Sequence, residues 1–98
     1  MDKKIAEIVL ERANGYCEVC GHSMADAHLH HRKLKSQGGK DEVSNLIAIH
    51  HYCHNIAPQS VHQNPKFAML KGYIVPSYAD TLEYPLHLPD GRIVKLDN

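Results

Sequence analysis

Four Cys and His residues at metal-ligand spacing constrain the fold of this chain most strongly. Cys17 and Cys20 form a CxxC pair, and His50 and Cys53 form an HxxC pair after 29 intervening residues. Two such pairs, on a tight turn and at a helix start, can build a tetrahedral zinc site from sulfur and nitrogen donors. We therefore predict a structural zinc that joins the N-terminal segment to the middle of the chain.

The size of the chain makes a bound metal useful for folding. It has 98 residues, of which 43% are hydrophobic, with no Trp and one Phe. A core this small gives limited stability, and small domains often add a metal. We predict a single domain over residues 1–98, with its core in residues 12–62 and a C-terminal extension in residues 63–98.

Three other interpretations of the cysteines are weaker. A redox CxxC is typical of a thioredoxin-like βαβ context, which this sequence lacks, and it predicts thiol exchange and metal-free folding. An odd count of three Cys argues against a disulfide framework. If His50 were only a surface residue, zinc would be one ligand short.

Charge and hydropathy exclude further classes. Basic and acidic residues both total 11, which argues against nucleic-acid binding through bulk charge but leaves room for a local basic face. Residues 28–40 contain four basic residues and no acid. No apolar run approaches the roughly 18 residues of a membrane span, and the N-terminus lacks the apolar region of a signal peptide. We expect a cytoplasmic protein without a membrane partner.

Local sequence signals predict an α+β fold. Capping residues, glycines and prolines set the expected boundaries. The predicted elements are a helix over 2–13, an extended segment over 26–34, a loop over 35–44, a strand over 46–49, a helix from His51 that Pro58 interrupts or ends, a helix from Pro65 to Lys71, and a hairpin around Pro89, Asp90 and Gly91.

A second group of residues has the spacing of a catalytic metal site. His30 and His31 end the first extended segment, and Asn45 and His54 follow. Neighbouring side chains on a strand point to opposite faces, so one His can bind a metal while the other faces the reaction. A helix turns about 100° per residue, so His54 points away from the zinc ligand Cys53 and can serve a second metal.

The combined pattern resembles the HNH endonucleases, a branch of the ββα-metal (His-Me finger) nucleases. The matching residues read CEVCG and LHHRKLKSQGGKDEVSNLIAIHHYCH, within residues 12–54. The later VHQNP segment and terminal hairpin are similar to those of small phage HNH proteins. The resemblance implies a ββα-metal fold with one catalytic divalent cation: Mg²⁺, Mn²⁺, Ni²⁺ or Zn²⁺.

The resemblance also implies roles for individual residues. His30 and His54 would bind the catalytic cation, His31 would be the general base, and Asn45 would fix the loop and orient that base. The implied activity is hydrolysis of DNA phosphodiester bonds to 3′-hydroxyl and 5′-phosphate ends, with no small-molecule substrate. A phage-encoded member would act in the host cytoplasm, beside a packaging terminase.

The sequence departs from the family pattern at two places. His50 replaces the third Cys of the zinc site, which zinc tolerates. Pro58 occupies the position, four residues after His54, where colicin-like members have a further His. His62 lies eight residues after His54, as if four residues were inserted. We predict that His62 is the third catalytic ligand, with Asn55 or water as alternatives.

The basic residues of the loop are candidate DNA contacts, since lysine and arginine bind phosphates. They are Arg32, Lys33, Lys35 and Lys40. The alternative function is a non-catalytic zinc-binding module for DNA or protein, which His31 disfavours because a structural zinc site needs no second His there. The dispersed residues His22, His28, His51 and His87 are interpreted as surface or core residues without a site role.

Overall fold

The computed structural model describes residues 2–98, which form an α+β fold. The helices are α1 (Lys3–Ala13) and α2 (Pro65–Lys71), and the strands are β1 (His28–His31), β2 (Leu46–Ile49), β3 (Leu86–His87) and β4 (Ile93–Val94). Short 3₁₀ turns cover Lys35–Gln37 and Val43–Asn45, and a π-helical turn covers Tyr52–Ile56. Among residues 2–98, no helix is both long and apolar enough to cross a membrane.

Helix α1 confirms the first predicted helix. The Asp2 carboxylate caps it by accepting a 2.8 Å hydrogen bond from the Lys4 N–H, as an N-cap residue does. Asn14 ends the helix in the left-handed conformation, with φ 52°. Val9 and Ala13 are buried, and they pack with Leu46 and Ala48 of β2.

Strands β1 and β2 form an antiparallel hairpin in which His30 pairs with Ile47 and His31 with Leu46. All four residues of β2 are fully buried because both faces of the strand are covered. One face packs on α1, and Ile47 and Ile49 on the other face pack in the main core. The observed β1 is shorter than the extended segment predicted over 26–34.

The helix predicted from His51 is a single π-helical turn, Tyr52–Ile56. Ala57 is extended, with ψ 148°, as is typical of a residue before proline. After Pro58 the chain folds back on the turn. The Val61 N–H donates to the Cys53 carbonyl at 3.0 Å, and the His62 N–H donates to the His54 carbonyl at 3.2 Å. These bonds place His62 directly beside His54.

The C-terminal extension contains the predicted third helix and the hairpin. Asn64 caps α2, Pro65 begins it, and Gly72 ends it with φ 81°. A side chain on Gly72 would meet the Pro85 carbonyl at 2.0 Å, so the chain also approaches itself too closely for any larger residue there. Leu86 of β3 is fully buried in the main core, which attaches the hairpin to the rest of the protein.

Arg32 is buried, and the prediction that it contacts a DNA phosphate is wrong. Its side chain is 0% exposed. The guanidinium donates to four backbone carbonyls at 2.7–3.3 Å, those of Ser44, Gly72, Thr81 and Tyr84. Burial lowers the pKa of Arg32 to about 10, so the group remains charged at neutral pH. The Arg32 guanidinium therefore has all its contacts inside the protein and is not available to a phosphate.

We predict that Arg32→Met strongly destabilises the protein. The variant leaves four carbonyls without their donor, and a buried acceptor that loses its partner costs about 1–3 kcal/mol. Urea denaturation measures the change. Lys40→Met is the matched control, because Lys40 is an exposed base in the same segment and should change stability little. An Arg32→Met protein of wild-type stability would contradict the structural role.

Candidate functional site

The four predicted zinc ligands come together in the structure. The ligand atoms of Cys17, Cys20, His50 and Cys53 all lie within 4.8 Å of one another. His50 Nε2 is 3.0 Å from the Cys20 sulfur and 3.8 Å from the Cys53 sulfur. Around a tetrahedral zinc with bonds near 2.3 Å, ligand atoms are about 3.8 Å apart. The set therefore fits zinc in number, chemistry and spacing.

Backbone hydrogen bonds shape the CxxC turn. The Cys17 N–H donates to the His22 carbonyl at 2.8 Å, and the Gly21 N–H donates to the Cys17 carbonyl at 2.9 Å. Gly21 has φ 81°, a conformation that favours glycine. The Val19 N–H donates to the Cys17 sulfur at 3.4 Å. The local sequence thus presents both sulfur atoms to His50 and Cys53.

The chemistry of the buried thiols also fits a cation. Burial raises the pKa of the Cys53 thiol, and the neighbouring Cys17 raises it further. Three close sulfur atoms cannot all ionise without an opposing charge between them. A divalent cation supplies that charge, since zinc binds the thiolate form and releases the proton.

A second cluster joins His30 of β1, His54 of the π-helical turn and His62. Their ligand atoms also lie within 4.8 Å of one another, with His54 Nε2 2.9 Å from His62 Nε2. The His30 Nε2–H donates to the Tyr73 carbonyl at 2.8 Å. This bond fixes the tautomer and leaves Nδ1 as the nitrogen that can bind a cation.

The electrostatics of this cluster favour neutral imidazoles. Burial, aided by His54 and His62, lowers the pKa of His30 to about 4. Burial and the neighbouring His62 lower the pKa of His54 to about 4 as well. Both rings are therefore neutral at pH 7, which is the form that binds metals. Three converging imidazoles fit a divalent transition metal.

His28 is a residue that sequence reasoning missed. Its Nδ1 lies 3.1 Å from His54 Nδ1, although the sequence suggested no site role for it. The signal was the two-residue spacing from His30, which places both side chains on one face of β1. Asn55, an alternative third ligand, instead donates to His51 Nδ1 at 3.0 Å.

His31 lies on the other face of β1, as strand alternation predicts. Its side chain is 23% exposed, and its Nε2 lies 2.6 Å from an Asp41 carboxylate oxygen. His31 also lines a cleft of about 400 Å³ together with His30 and His62. Met69, Ile74 and Pro76 also line this cleft. His30 and His62 of the second cluster therefore line the same cleft as His31.

Asn45 clamps the loop that follows β1. It is fully buried, and its side-chain oxygen accepts a 2.7 Å bond from the Lys33 N–H. Its amide donates to the carbonyls of Lys33 and Lys40 at 3.1 and 2.9 Å. Within residues 2–98 no hydrogen bond joins Asn45 to His31. In this structure the Asn45 side chain therefore contacts the loop and not His31.

The predicted phosphate contacts differ in their availability. Lys33 donates from its ammonium to the Ala79 carbonyl at 2.9 Å, which holds it against the protein. Lys35 is 65% exposed, with its ammonium 3.5 Å from Asp41, and Lys40 is exposed. With Arg32 buried, Lys35 and Lys40 are the bases that remain open to an approaching phosphate.

Comparison with known protein families gave a match to one part of the chain. Residues 17–58 match the family model for the HNH endonuclease. The matched segment covers 42 of the 98 residues and is similar to the HNH endonucleases. The match confirms the resemblance seen in the sequence and agrees with the α+β fold of a ββα-metal protein. Comparison with curated protein sequences gave no match. The matched HNH segment includes all four residues of the Cys/His cluster, together with His30, His31 and His54, and ends before His62.

We predict that Cys53→Ala releases tightly bound zinc and severely destabilises or unfolds the protein. The substitution removes one of four ligands from a site whose metal contributes folding free energy. Elemental analysis of the purified protein and thermal denaturation measure the two effects. His22→Ala is the control, because His22 is exposed and its backbone alone supports the turn. A folded wild-type protein without zinc would refute this prediction.

We predict that the second cluster binds a divalent cation through all three imidazoles. His54→Ala should weaken Ni²⁺ binding by more than about 100-fold, which exceeds the loss expected for a supporting contact. His62→Ala should weaken it by at least about 10-fold, less than His54→Ala because His62 is exposed and water can take its place. Calorimetric titration of zinc-loaded protein measures the affinities. His51→Ala, which changes an exposed neighbour, should bind as the wild type does. Wild-type affinity in His62→Ala would remove His62 from the ligand set.

Proposed function

We propose that this protein is a metal-dependent endonuclease that hydrolyses DNA phosphodiester bonds. The observation that carries the proposal is the cleft onto which His30, His31 and His62 open together. It combines a cluster able to hold a cation with a separate imidazole that does not belong to that cluster. The HNH domain supports the reaction class, since HNH nucleases act on DNA.

In this proposal each face of β1 has its own task. His30, with His54 and His62, would hold the divalent cation. When bound, such a cation acts as a Lewis acid that stabilises charge on the phosphate and on the leaving oxygen. His31, on the other face, would accept the proton of the attacking water, a task suited to a neutral imidazole near pH 7. The products would have 3′-hydroxyl and 5′-phosphate ends.

The ligand chemistry favours some cations over others. The second cluster consists of three histidines, and imidazole suits Ni²⁺ and Zn²⁺, whereas Mg²⁺ prefers oxygen ligands. We therefore propose Ni²⁺ or Zn²⁺ as tighter catalytic ions than Mg²⁺. His28 would support the site from behind. If His54 binds through Nε2, its Nδ1–H can donate to His28 Nδ1 across the observed 3.1 Å.

The Cys/His cluster would hold a structural zinc in the same domain. Cys53 and His54 are adjacent in the π-helical turn, so fixing Cys53 on zinc would also fix the position of His54. The buried contacts of Arg32 and Leu86 with the C-terminal extension support a single domain over the whole chain.

DNA would approach from the loop side of the cleft. Lys35 and Lys40 are placed to bind backbone phosphates, which position a strand without reading its sequence. We therefore propose cleavage with little sequence preference. A packaging terminase as partner is supported by the resemblance to phage HNH proteins alone.

We predict that His31→Ala abolishes cleavage while sparing the fold, the zinc and most of the affinity for the second cation. Removing a general base typically lowers the rate by about 10²–10⁴-fold. Plasmid nicking and linearisation, with Mg²⁺, Mn²⁺ or Ni²⁺ at saturation and with EDTA as the metal-free control, measure the effect. His22→Ala should cleave as the wild type does. Equal rates for His31→Ala and wild type would mean that water is activated elsewhere, and this mechanism would fail.

A further inference from the structure

The contact between His31 and Asp41 has a defined direction. His31 Nε2 lies 2.6 Å from an Asp41 carboxylate oxygen, and an ionised carboxylate can only accept hydrogen bonds. The hydrogen bond from His31 lowers the pKa of Asp41, and the Lys35 ammonium 3.5 Å away lowers it further, so Asp41 is ionised at neutral pH. His31 must therefore carry its proton on Nε2. The lone pair of the neutral ring is then on Nδ1.

The loop is built in a way that delivers Asp41 to this place. Gly38 ends the Lys35–Gln37 turn with φ 89°, and the Gly39 N–H donates to the Leu34 carbonyl at 2.9 Å. A side chain on Gly39 would meet the Lys33 carbonyl at 1.9 Å, so the loop closes too tightly for any other residue. Asn45 then holds the Lys40 carbonyl, one residue before Asp41. The carboxylate is thus presented by a loop that is fixed at both ends.

We propose that Asp41 is a positioning residue that fixes the orientation and tautomer of His31 so that Nδ1 is the nitrogen that accepts the proton from water. This inference rests on the nuclease function proposed above. In the reaction, an O–H bond of water breaks and its proton moves to Nδ1 while the water oxygen bonds to phosphorus. The bond from phosphorus to the 3′ oxygen breaks, and that oxygen leaves with the electron pair and takes a proton from solvent.

A purely structural role for the pair explains less of the geometry. The loop already has its own buried clamp in Asn45, with bonds to Lys33 and Lys40. Asp41 is 27% exposed and His31 23%, so their bond joins two partly solvated groups and adds little to stability. Its specific effect is on His31, because a carboxylate on one ring nitrogen decides which nitrogen is free to accept a proton.

The tautomer can be observed without any cleavage assay. Long-range proton–nitrogen correlation spectra of ¹⁵N-labelled, zinc-loaded protein at about pH 8, above the ordinary imidazole pKa, distinguish the two neutral tautomers. The signals that disappear in His31→Gln identify the ring. We expect the Nε2–H form in the wild type. In Asp41→Asn the amide can donate as well as accept, so we expect a mixture or the Nδ1–H form.

Kinetics test the consequence for the reaction. We expect Asp41→Asn to lower the single-turnover cleavage rate at saturation by about 10²-fold, within the range for loss of general-base action. The protein concentration for half-saturation and the Ni²⁺ affinity should not change. Asp41→Glu retains a carboxylate and should recover part of the rate. Glu42→Gln is the matched control, since it removes the same charge one residue later without contacting His31, and it should cleave as the wild type does.

The outcomes separate this inference from the nuclease function. An Nδ1–H tautomer in wild-type His31, or an Asp41→Asn protein with wild-type tautomer and rate, would overturn the role of Asp41 while leaving the nuclease intact. If the wild type cleaves no DNA with any cation, the proposed function fails. The spectra alone then decide whether Asp41 determines the tautomer of the His31 ring. If Asp41→Asn does not fold, Asp41→Ser replaces it in both experiments.

Discussion

The burial of a single guanidinium holds the different parts of this small fold together. Arg32 follows β1 directly, and its four carbonyl partners lie in the segment before β2, at the end of α2 and in the irregular chain before β3. Burying a charge is costly unless its hydrogen bonds are satisfied, so these segments must converge for Arg32 to be buried at all. The residues just before it are His30 and His31, whose positions therefore depend on the same convergence.

The two clusters of ligands meet at one turn of the chain. Cys53 points to the Cys/His cluster and His54 to the histidine cluster, and the two residues are neighbours in the Tyr52–Ile56 turn. A change that displaces one cluster will therefore displace the other. In a protein with no Trp and one Phe, such a shared element helps to hold both clusters in place.

The sequence predicts the elements that local chemistry controls. Asp2, Pro65 and Gly72 mark helix ends because capping depends on near neighbours, and the CxxC and HxxC pairs predict the Cys/His cluster because ligand spacing is a local property. Arg32 could not be assigned correctly in this way. A basic residue in a run of bases has the pattern of a solvated loop, and its four partners are between 12 and 52 residues away. The role of Asp41 was hidden for a similar reason, since its contact with His31 depends on how the loop closes.

Because the chain folds back after Pro58, the positions of His54 and His62 in the sequence do not follow the repeat of a helix. On a regular helix, ligands must follow one another at three or four residues to share a face. Here the bonds from Val61 to Cys53 and from His62 to His54 hold two segments of chain side by side, so these bonds rather than the helical repeat bring His54 and His62 together. The segment from Ala57 to Gln59 is then a spacer. A change in the length of this segment that preserved the two hydrogen bonds would keep the His54 and His62 side chains together.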